Sequence, residues 1–247
     1  MDTPSAFVAG ATGLTGRHLV ALLAERGIRT IAHLRPDSPR LEAWRARFDA
    51  LGAEVDTSAW TQEAMEETLR AHRPDWIFSL LGTTRRRAAE ARREGQGEES
   101  YEQVDYALSS RLIRAAQKLD ARPRFIFLSA AGVRPSSRAP YLRARAKVEA
   151  ELQQSGLPFV IARPSFILGD RDRARHGETI GAAVADALLG IAGSLGARRL
   201  RSRFRSTTGE ALALALATLA ADPDTAGRVV ESDELWRLGH PDSASSP

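Results

Sequence analysis

The sequence predicts an α/β protein built on a doubly wound parallel sheet. Short, continuously apolar segments alternate along the chain with segments whose apolar residues recur at helical spacing. Continuously apolar strands are typical of a parallel sheet that is covered by helices on both faces. No repeat or long linker interrupts the alternation. We therefore expect residues 1–247 to form a single domain, of which about 164–247 make a small C-terminal, substrate-covering region.

The predicted strands are the short apolar segments, which end at glycine, proline or polar residues. They are residues 6–9, 30–34, 54–55, 76–81, 125–128, 159–162 and 228–230. Helices are predicted where apolar residues recur every three or four positions. They are the segments around 19–27, 41–51, 61–69, 108–119, 141–154 and 180–195, and a last helix from residue 210. Thr61 and Thr207 are the expected N-caps of the helices that follow them.

Composition excludes several classes of function. The chain has 35 Lys and Arg against 31 Asp and Glu, a net charge of +4 that is too mild to require nucleic acid. It contains no cysteine, which excludes disulfides, thiolate nucleophiles and cysteine-bound zinc or iron–sulfur clusters. The five histidines lie far apart and show no metal-ligand spacing, so we expect no metal site.

The apolar segments give no sign of a membrane. The first five residues contain neither a basic nor an apolar leader segment. The longest apolar run, residues 211–221, is too short to span a bilayer. From these features we expect a cytoplasmic protein without a membrane partner.

A glycine-rich loop joins the first predicted strand to the first predicted helix. It contains Gly10, Gly13 and Gly16. In such a loop the first glycine permits a tight turn, the second lets a pyrophosphate approach the main chain, and the third lets helix and strand pack closely. The N-terminus of the helix then faces the phosphates. The loop therefore indicates a dinucleotide-binding Rossmann fold.

The tip of the second strand bears on which dinucleotide is bound. A carboxylate about 20 residues beyond the glycine motif would hold the ribose 2′-hydroxyl of NAD, whereas an arginine accommodates the 2′-phosphate of NADP. Arg35 occupies this tip, and Ser38 can add a hydroxyl. Asp37 lies between them, which leaves open a contact with the ribose of NAD, and Arg35 could also be a solvated loop cation. The position of the positive charge favours NADP(H).

Further motifs follow in order along residues 5–178. They are Leu81-Gly82-Thr83-Thr84-Arg85, Val104-Asp105-Tyr106, Tyr141-Leu142 with Val148-Glu149-Ala150, Arg163-Pro164, and Leu168 with Asp170-Arg171, Arg175 and Gly177-Glu178. Together with the glycine loop they resemble the atypical short-chain dehydrogenases of the Tat-interactive-protein-like branch, with the NmrA-like proteins as wider relatives. The charged loop 85–99 looks longer than in that family, and beyond residue 178 only 231–239 is similar.

The resemblance implies an NADP(H) site and a reactive cluster. The implied cofactor-binding residues are Gly10, Thr12, Gly13, Leu14 and Thr15 at the pyrophosphate, Arg35 and Ser38 at the 2′-phosphate, Leu81, Gly82 and Thr83 under the adenosine and the ribose, and Pro164, Ser165 and Phe166 over the nicotinamide. The implied reactive cluster is Ser129, Tyr141 and Arg145.

The reactive cluster of such a dehydrogenase combines a tyrosine, a cation and a hydroxyl. A hydride moves between nicotinamide and a carbonyl carbon while the tyrosine gives or takes the proton on oxygen. Free tyrosine has a pKa of about 10, so a cation one helical turn away favours the phenolate. Arg145 stands where a lysine is usual, and Lys147 falls on another face of the helix. Two simpler interpretations stay open, in which Tyr141 is a packing residue and Arg145 a solvated cation.

These observations predict an NADPH-dependent oxidoreductase that acts on a small-molecule carbonyl compound. The alternative is an NADP(H)-binding redox sensor or regulatory scaffold protein that performs no turnover. A nucleic-acid-binding protein that uses the basic residues 198–205 is the least favoured interpretation, because a run of charge is more often a solvated face. A homodimer stays open as a further partner.

Overall fold

Seven parallel strands form the central sheet. The computed structural model describes residues 3–82, 106–168 and 206–241. The strands are β1 (Ser5–Ala9), β2 (Arg29–His33), β3 (Glu54–Asp56), β4 (Trp76–Ser79), β5 (Arg124–Leu128), β6 (Phe159–Arg163), the short β7 (Ile167–Leu168) and β8 (Thr207–Thr208), and β9 (Arg228–Glu231). Their order in the sheet is β3-β2-β1-β4-β5-β6-β9, while β7 and β8 pair separately. The chain reverses its winding direction between β1 and β4, which confirms the doubly wound sheet.

Helices cover both faces of this sheet. They are α1 (Gly16–Glu25), α2 (Leu41–Asp49), α3 (Gln62–His72), α4 (Leu108–Gln117), α5 (Pro140–Gln154), α6 (Gly209–Ala221) and α7 (Ser232–Gly239), with a 3₁₀ turn at Pro223–Thr225. In the parts of the chain that the structure describes, no helix combines the length and the apolar character needed to cross a bilayer.

Two apolar layers lie between the sheet and the helices. Alternate residues of a strand point to opposite faces, so Val8 packs with α1, α2 and α6 while Phe7 packs with α3, α4 and α5. The same division separates Phe78 from Ile77 on β4. All four side chains are fully buried, and the two layers together form the core of the described residues.

Two predicted boundaries need correction. The fourth strand ends at Ser79 rather than at Leu81, since the sheet pairing stops there and Leu80 retains only a bond from its N–H to the Ala9 carbonyl, at 2.9 Å. Thr208, not Thr207, caps α6, because its hydroxyl accepts the Ala211 N–H at 3.1 Å while Thr207 lies in β8.

Other predicted elements are confirmed or lie outside the description. Thr61 caps α3, where its hydroxyl accepts the Ala64 N–H at 3.2 Å. The charged loop 85–99, the helix 180–195 and the basic stretch 198–205 fall outside the described residues.

Helix α6 packs directly on the loop that follows β1. A Cβ atom added at Gly209 would lie 2.5 Å from the carbonyl oxygen of Leu14. Glycine is the residue that permits so close an approach of two main chains. The end of the chain therefore supports the glycine-rich loop from the side, although the two are almost 200 residues apart in sequence.

Candidate functional site

The glycine-rich loop is a tight turn packed against the end of β4. Gly10 has a φ of +86°, and a Cβ added there would lie 2.7 Å from the Leu80 carbonyl oxygen. The Gly13 N–H donates to the Gly10 carbonyl at 3.0 Å and closes the turn. A Cβ on Gly16 would overlap the same Gly10 carbonyl. The first and third glycines are therefore required by the geometry, as the motif predicts.

The N-terminus of α1 is suited to an anion. The helix starts at Gly16, and no side chain caps its first N–H groups. No acidic residue lies in the first turn of this fully described helix. Thr12 and Gly13 are exposed, so the main chain of the loop is accessible. The positive end of the helix dipole favours phosphate, and the exposed loop thus forms a cradle that fits the pyrophosphate of a dinucleotide.

A cleft of about 260 Å³ runs from this loop across the carboxyl ends of β4 and β5. It brings together ten of the residues that the sequence predicts for the site. They are Gly13, Leu14, Thr15, Leu81, Gly82, Ser129, Tyr141, Arg145, Pro164 and Ser165. The predicted residues that do not line this cleft are Gly10, Thr12, Arg35, Ser38 and Phe166. Thr83 lies outside the described residues.

Arg145 is buried and forms hydrogen bonds that connect the end of β5 with the segment that follows β4. It is only 4% exposed, and its Nη1 and Nη2 groups donate to the carbonyls of Leu128 at 2.5 Å and Leu81 at 2.7 Å. Its guanidinium carbon lies 5.3 Å from the centre of the Tyr141 ring. Arg145 is therefore not a solvated cation, and the geometry gives it a positioning role first. Its part in catalysis stays a prediction.

Lys147 points away from this cluster. It is exposed, and its ammonium group lies 5.4 Å from the centre of the Tyr106 ring. Neither Lys147 nor Tyr106 lines the cleft that contains Tyr141. The expectation that Lys147 falls on another face of α5 is confirmed.

Ser129 is hydrogen-bonded to an ion pair for which no role was predicted, formed by the buried Glu149 and the half-buried Arg163. Its hydroxyl donates to Oε1 of Glu149 at 2.5 Å. Arg163 donates to the same carboxylate from Nε at 3.0 Å and from Nη2 at 2.5 Å, and to Glu231 from Nη1 at 3.0 Å. The hydrogen bond from Arg163 to Glu149 raises the pKa of Arg163. Glu149 and Arg163 both stand in the family-like motifs, and the presence of an acid and a base in successive motifs was the only signal that the sequence offered for this pair.

The tip of β2 forms a turn that brings the predicted 2′-phosphate residues together. The Ser38 N–H donates to the Arg35 carbonyl at 3.1 Å. The Arg35 guanidinium lies 3.3 Å from the Asp37 carboxylate, and both side chains are accessible. All residues of this turn are described, and its one carboxylate, that of Asp37, is thus an ion-pair partner of Arg35.

His33 is the last residue of β2 and comes just before this turn. The ring is buried, lies 4.6 Å from the Trp60 ring, and donates from Nε2 to the Ser58 carbonyl at 2.9 Å. Burial lowers the pKa of His33, and this effect exceeds the opposing attraction of Asp56 at 3.6 Å. The imidazole is therefore neutral at neutral pH. Among the described residues, no three His, Asp or Glu side chains are grouped as metal ligands.

The fold and the cleft define a dinucleotide-binding protein of the Rossmann class. The chain belongs to the NAD(P)H-binding family, whose model matches residues 10–187. This match agrees with the resemblance to the atypical short-chain dehydrogenases and supports a nicotinamide cofactor.

Curated fungal relatives are similar over almost the whole chain. The protein fmp-52, mitochondrial, of Neurospora crassa is 29% identical and covers 96% of both chains. FMP52, mitochondrial, of Debaryomyces hansenii is 28% identical over 95% of this chain and 97% of its own length. The expectation of a cytoplasmic protein is wrong on this comparison, because both relatives are named mitochondrial. The short apolar segments on which that expectation was based contain no information about the cellular location.

Solved structures share the fold at low sequence identity. UDP-glucose 4-epimerase of Thermotoga maritima, solved with UDP-glucose, matches with a TM-score of 0.64 at 19% identity, over 98% of this chain and 84% of its own. The enzyme WbmH of Bordetella bronchiseptica, solved with NAD⁺, matches with a TM-score of 0.62 at 17% identity, over 92% of this chain and 74% of its own.

Because Arg145 donates hydrogen bonds to two main-chain carbonyls, we expect a large loss of stability when its side chain is replaced. Arg145→Met should lower the free energy of unfolding by about 2–4 kcal/mol, because two main-chain carbonyls lose a charged donor. Arg145→Lys should fall between Arg145→Met and the parent, since an ammonium is a point donor and cannot span both carbonyls as a planar fork does. Urea unfolding measures both changes.

Lys147→Met is the matched control on the same helix. It should change the unfolding free energy by less than about 0.5 kcal/mol. Equal losses at positions 145 and 147 would show that the two carbonyl bonds contribute nothing.

Because His33 is buried in its neutral form, we expect the folded protein to lose stability in acid. Its folded-state pKa lies below the unfolded value of about 6.5, so the unfolded chain binds the proton more readily. The contribution of the neutral imidazole to the free energy of unfolding is therefore constant well above about pH 6.5, and it is lost progressively as the pH falls below that value. Between about pH 7.5 and 5, the parent should lose roughly 1 kcal/mol more than His33→Gln, which keeps an N–H donor but does not titrate. Urea unfolding at both pH values measures the difference.

Identical pH profiles for the parent and His33→Gln would contradict the assignment of a buried neutral imidazole.

Proposed function

We propose that the protein is an NADPH-dependent oxidoreductase that reduces a carbonyl compound, with Tyr141 as the proton donor. One observation carries the proposal: the half-buried Tyr141 lines the same cleft as Gly13, Leu14 and Thr15 of the phosphate cradle. A dinucleotide whose pyrophosphate lies on that loop would extend along the carboxyl ends of the strands, as is general for doubly wound sheets. The family match supports a nicotinamide cofactor at this place.

The cleft and the neighbouring tip of β2 would together hold the sections of the cofactor. The glycine-rich loop and the N-terminus of α1 would hold the pyrophosphate, and Leu81 with Gly82 would line the path of the ribose. Pro164, which is buried, and Ser165 would cover the nicotinamide from the β6 side. When bound, the nicotinamide supplies or accepts the hydride. Arg35 and Ser38 favour NADP(H), because a guanidinium and a hydroxyl at the tip of β2 can both bind a 2′-phosphate.

The chain itself supplies the proton and the geometry. The Tyr141 hydroxyl donates its proton to the carbonyl oxygen as the hydride arrives on the carbon. The guanidinium of Arg145 lies over the Tyr141 ring and is fixed by two main-chain carbonyls, so the ring is held against a rigid support. Arginine stays protonated and cannot relay a proton. Tyr141 must therefore recover its proton by a route that does not pass through Arg145.

A second candidate function has its own support. Ser129 and Arg145, two of the three groups in the reactive cluster, make hydrogen bonds to other protein groups, to Glu149 and to main-chain carbonyls. A protein that binds NADP(H) and senses its redox state needs the cradle but not a complete catalytic set. Turnover of a carbonyl substrate separates this redox sensor from the reductase.

The charge at the tip of β2 predicts that NADPH stabilises the protein more than NADH does. A ligand at 100 times its dissociation constant adds about 2.7 kcal/mol of stability, which a thermal shift detects. Arg35→Asp should abolish the difference between the two cofactors, because it places a carboxylate against the 2′-phosphate.

Arg26→Asp makes the same change of charge at the end of α1, before the start of β2 and thus far from the carboxyl end of that strand, and should leave the cofactor preference intact. Equal shifts with NADPH and NADH in the parent protein would refute the NADP preference.

Replacement of Tyr141 by phenylalanine tests the proton donor. Loss of a general acid typically costs 10²–10⁴-fold in rate, so Tyr141→Phe should reduce a carbonyl compound slower by about that factor. The rate is followed as single-turnover oxidation of NADPH with the best substrate from a carbonyl panel. Tyr106→Phe removes a hydroxyl from a ring outside the cleft and should retain the parental rate.

An unchanged rate in Tyr141→Phe would make the tyrosine structural. Tight NADPH binding without reduction of any carbonyl in the panel would replace the reductase by the sensor.

A further inference from the structure

The Ser129 hydroxyl has a fixed polarity. Ser129 lines the cleft, yet it is only 4% exposed and its Oγ donates to Oε1 of Glu149 at 2.5 Å. Glu149 is also 4% exposed and receives two hydrogen bonds from Arg163, at 3.0 and 2.5 Å. A carboxylate in such an ion pair is ionised and can only accept hydrogen bonds. The single proton of Ser129 is therefore directed at Glu149.

The ion pair is built to stay in place. Arg163 belongs to β6, and its Nη1 also donates to Glu231 on the neighbouring β9 at 3.0 Å. Its main-chain carbonyl accepts the hydroxyl of Ser232 at 3.0 Å. Hydrogen bonds to an ionised acceptor are roughly twice as strong as neutral ones, so a substrate that turned the Ser129 hydroxyl away from Glu149 would lose more than it would with a neutral partner.

We propose that Glu149 is a positioning residue which makes Ser129 an acceptor toward the cleft, so that the enzyme selects carbonyl substrates with a hydroxyl or N–H donor on the carbon beside the carbonyl. This inference rests on the proposed reductase function and names its substrate class. A serine hydroxyl has one proton and two lone pairs. With the proton given to Glu149, Ser129 presents only lone pairs to whatever occupies the cleft.

The polarity separates the tasks of the two hydroxyls. Tyr141 donates its proton to the carbonyl oxygen, which has only lone pairs to offer. Ser129 cannot bind that oxygen as well, since two lone pairs would face each other. A donor on the adjacent carbon satisfies the Ser129 oxygen, whereas a plain ketone leaves this buried acceptor without a partner. Sites built to bind a substrate hydroxyl discriminate strongly against analogues that lack it.

A matched pair of probes tests the substrate class. Acetophenone and 2-hydroxyacetophenone differ by one hydroxyl on the carbon beside the carbonyl. The parent protein with NADPH should reduce 2-hydroxyacetophenone with a kcat/KM higher by about tenfold or more, as expected for one buried hydrogen bond. Equal kcat/KM values, or a preference for acetophenone, would overturn the proposal.

Two variants distinguish the direction of the Ser129 hydroxyl proton from the packing of the side chain as the cause of the substrate preference. In Glu149→Gln the amide oxygen can accept from Arg163 while its NH₂ group donates to Ser129, which turns the serine proton toward the cleft. The preference should then fall to about one or reverse. Ser129→Ala leaves the ion pair of Glu149 and Arg163 intact and should abolish the preference without reversing it. A preference that persists in Ser129→Ala would overturn the proposal even where Glu149→Gln fails to fold.

A readout without turnover keeps this inference separate from the proposed function. Neutron diffraction from a crystal of the parent protein exchanged into D₂O locates the deuteron on Ser129 Oγ. We expect it on the line to Glu149 Oε1, and a deuteron directed into the cleft would overturn the inference. If neither probe is reduced, the reductase function fails, and the deuteron position still decides the polarity of Ser129.

Discussion

The cleft depends on the guanidinium of Arg145, which binds the carbonyls that follow β4 and end β5. Taking a cation out of water is costly unless it is paired or fully hydrogen-bonded. Here two carbonyls and two aromatic faces, those of Phe127 and Tyr141, surround the charge. The planar fork of arginine can reach both carbonyls at once, which a lysine ammonium cannot. The residue that replaces the usual lysine therefore fixes the floor of the cleft.

Helix α5 connects this floor to the remaining polar groups. Tyr141, Arg145 and Glu149 follow one another at intervals of four residues, so they lie along one face of the helix. The first lines the cleft, the second ties the strand ends, and the third holds Ser129 and Arg163. Lys147 falls off this face and is exposed. A shift of the helix would disturb all three contacts together.

The sequence predicts most of the fold because local patterns are sufficient for it. Continuous apolar segments identify buried parallel strands, and the glycine spacing identifies a turn in which Cβ atoms at Gly10 and Gly16 would collide with main chain. The fate of Arg145 could not be predicted, because the chain is rich in arginine and only tertiary packing distinguishes a buried cation from a solvated one. Glu149 and Arg163 were visible as motif residues, but their pairing across 14 positions is a tertiary contact. The cellular location was predicted wrongly, since the absence of a leader-like pattern carries little information about it.

The central claim is that one cleft holds both the dinucleotide and the proton donor. A crystal structure of the complex with NADPH tests it most directly. We expect the pyrophosphate on the main chain between Gly13 and Thr15, and the reactive carbon of the nicotinamide on the side of the cleft lined by Tyr141 and Ser129. A dinucleotide whose nicotinamide lies outside this cleft, or a Tyr141 hydroxyl separated from it by other side chains, would contradict the claim.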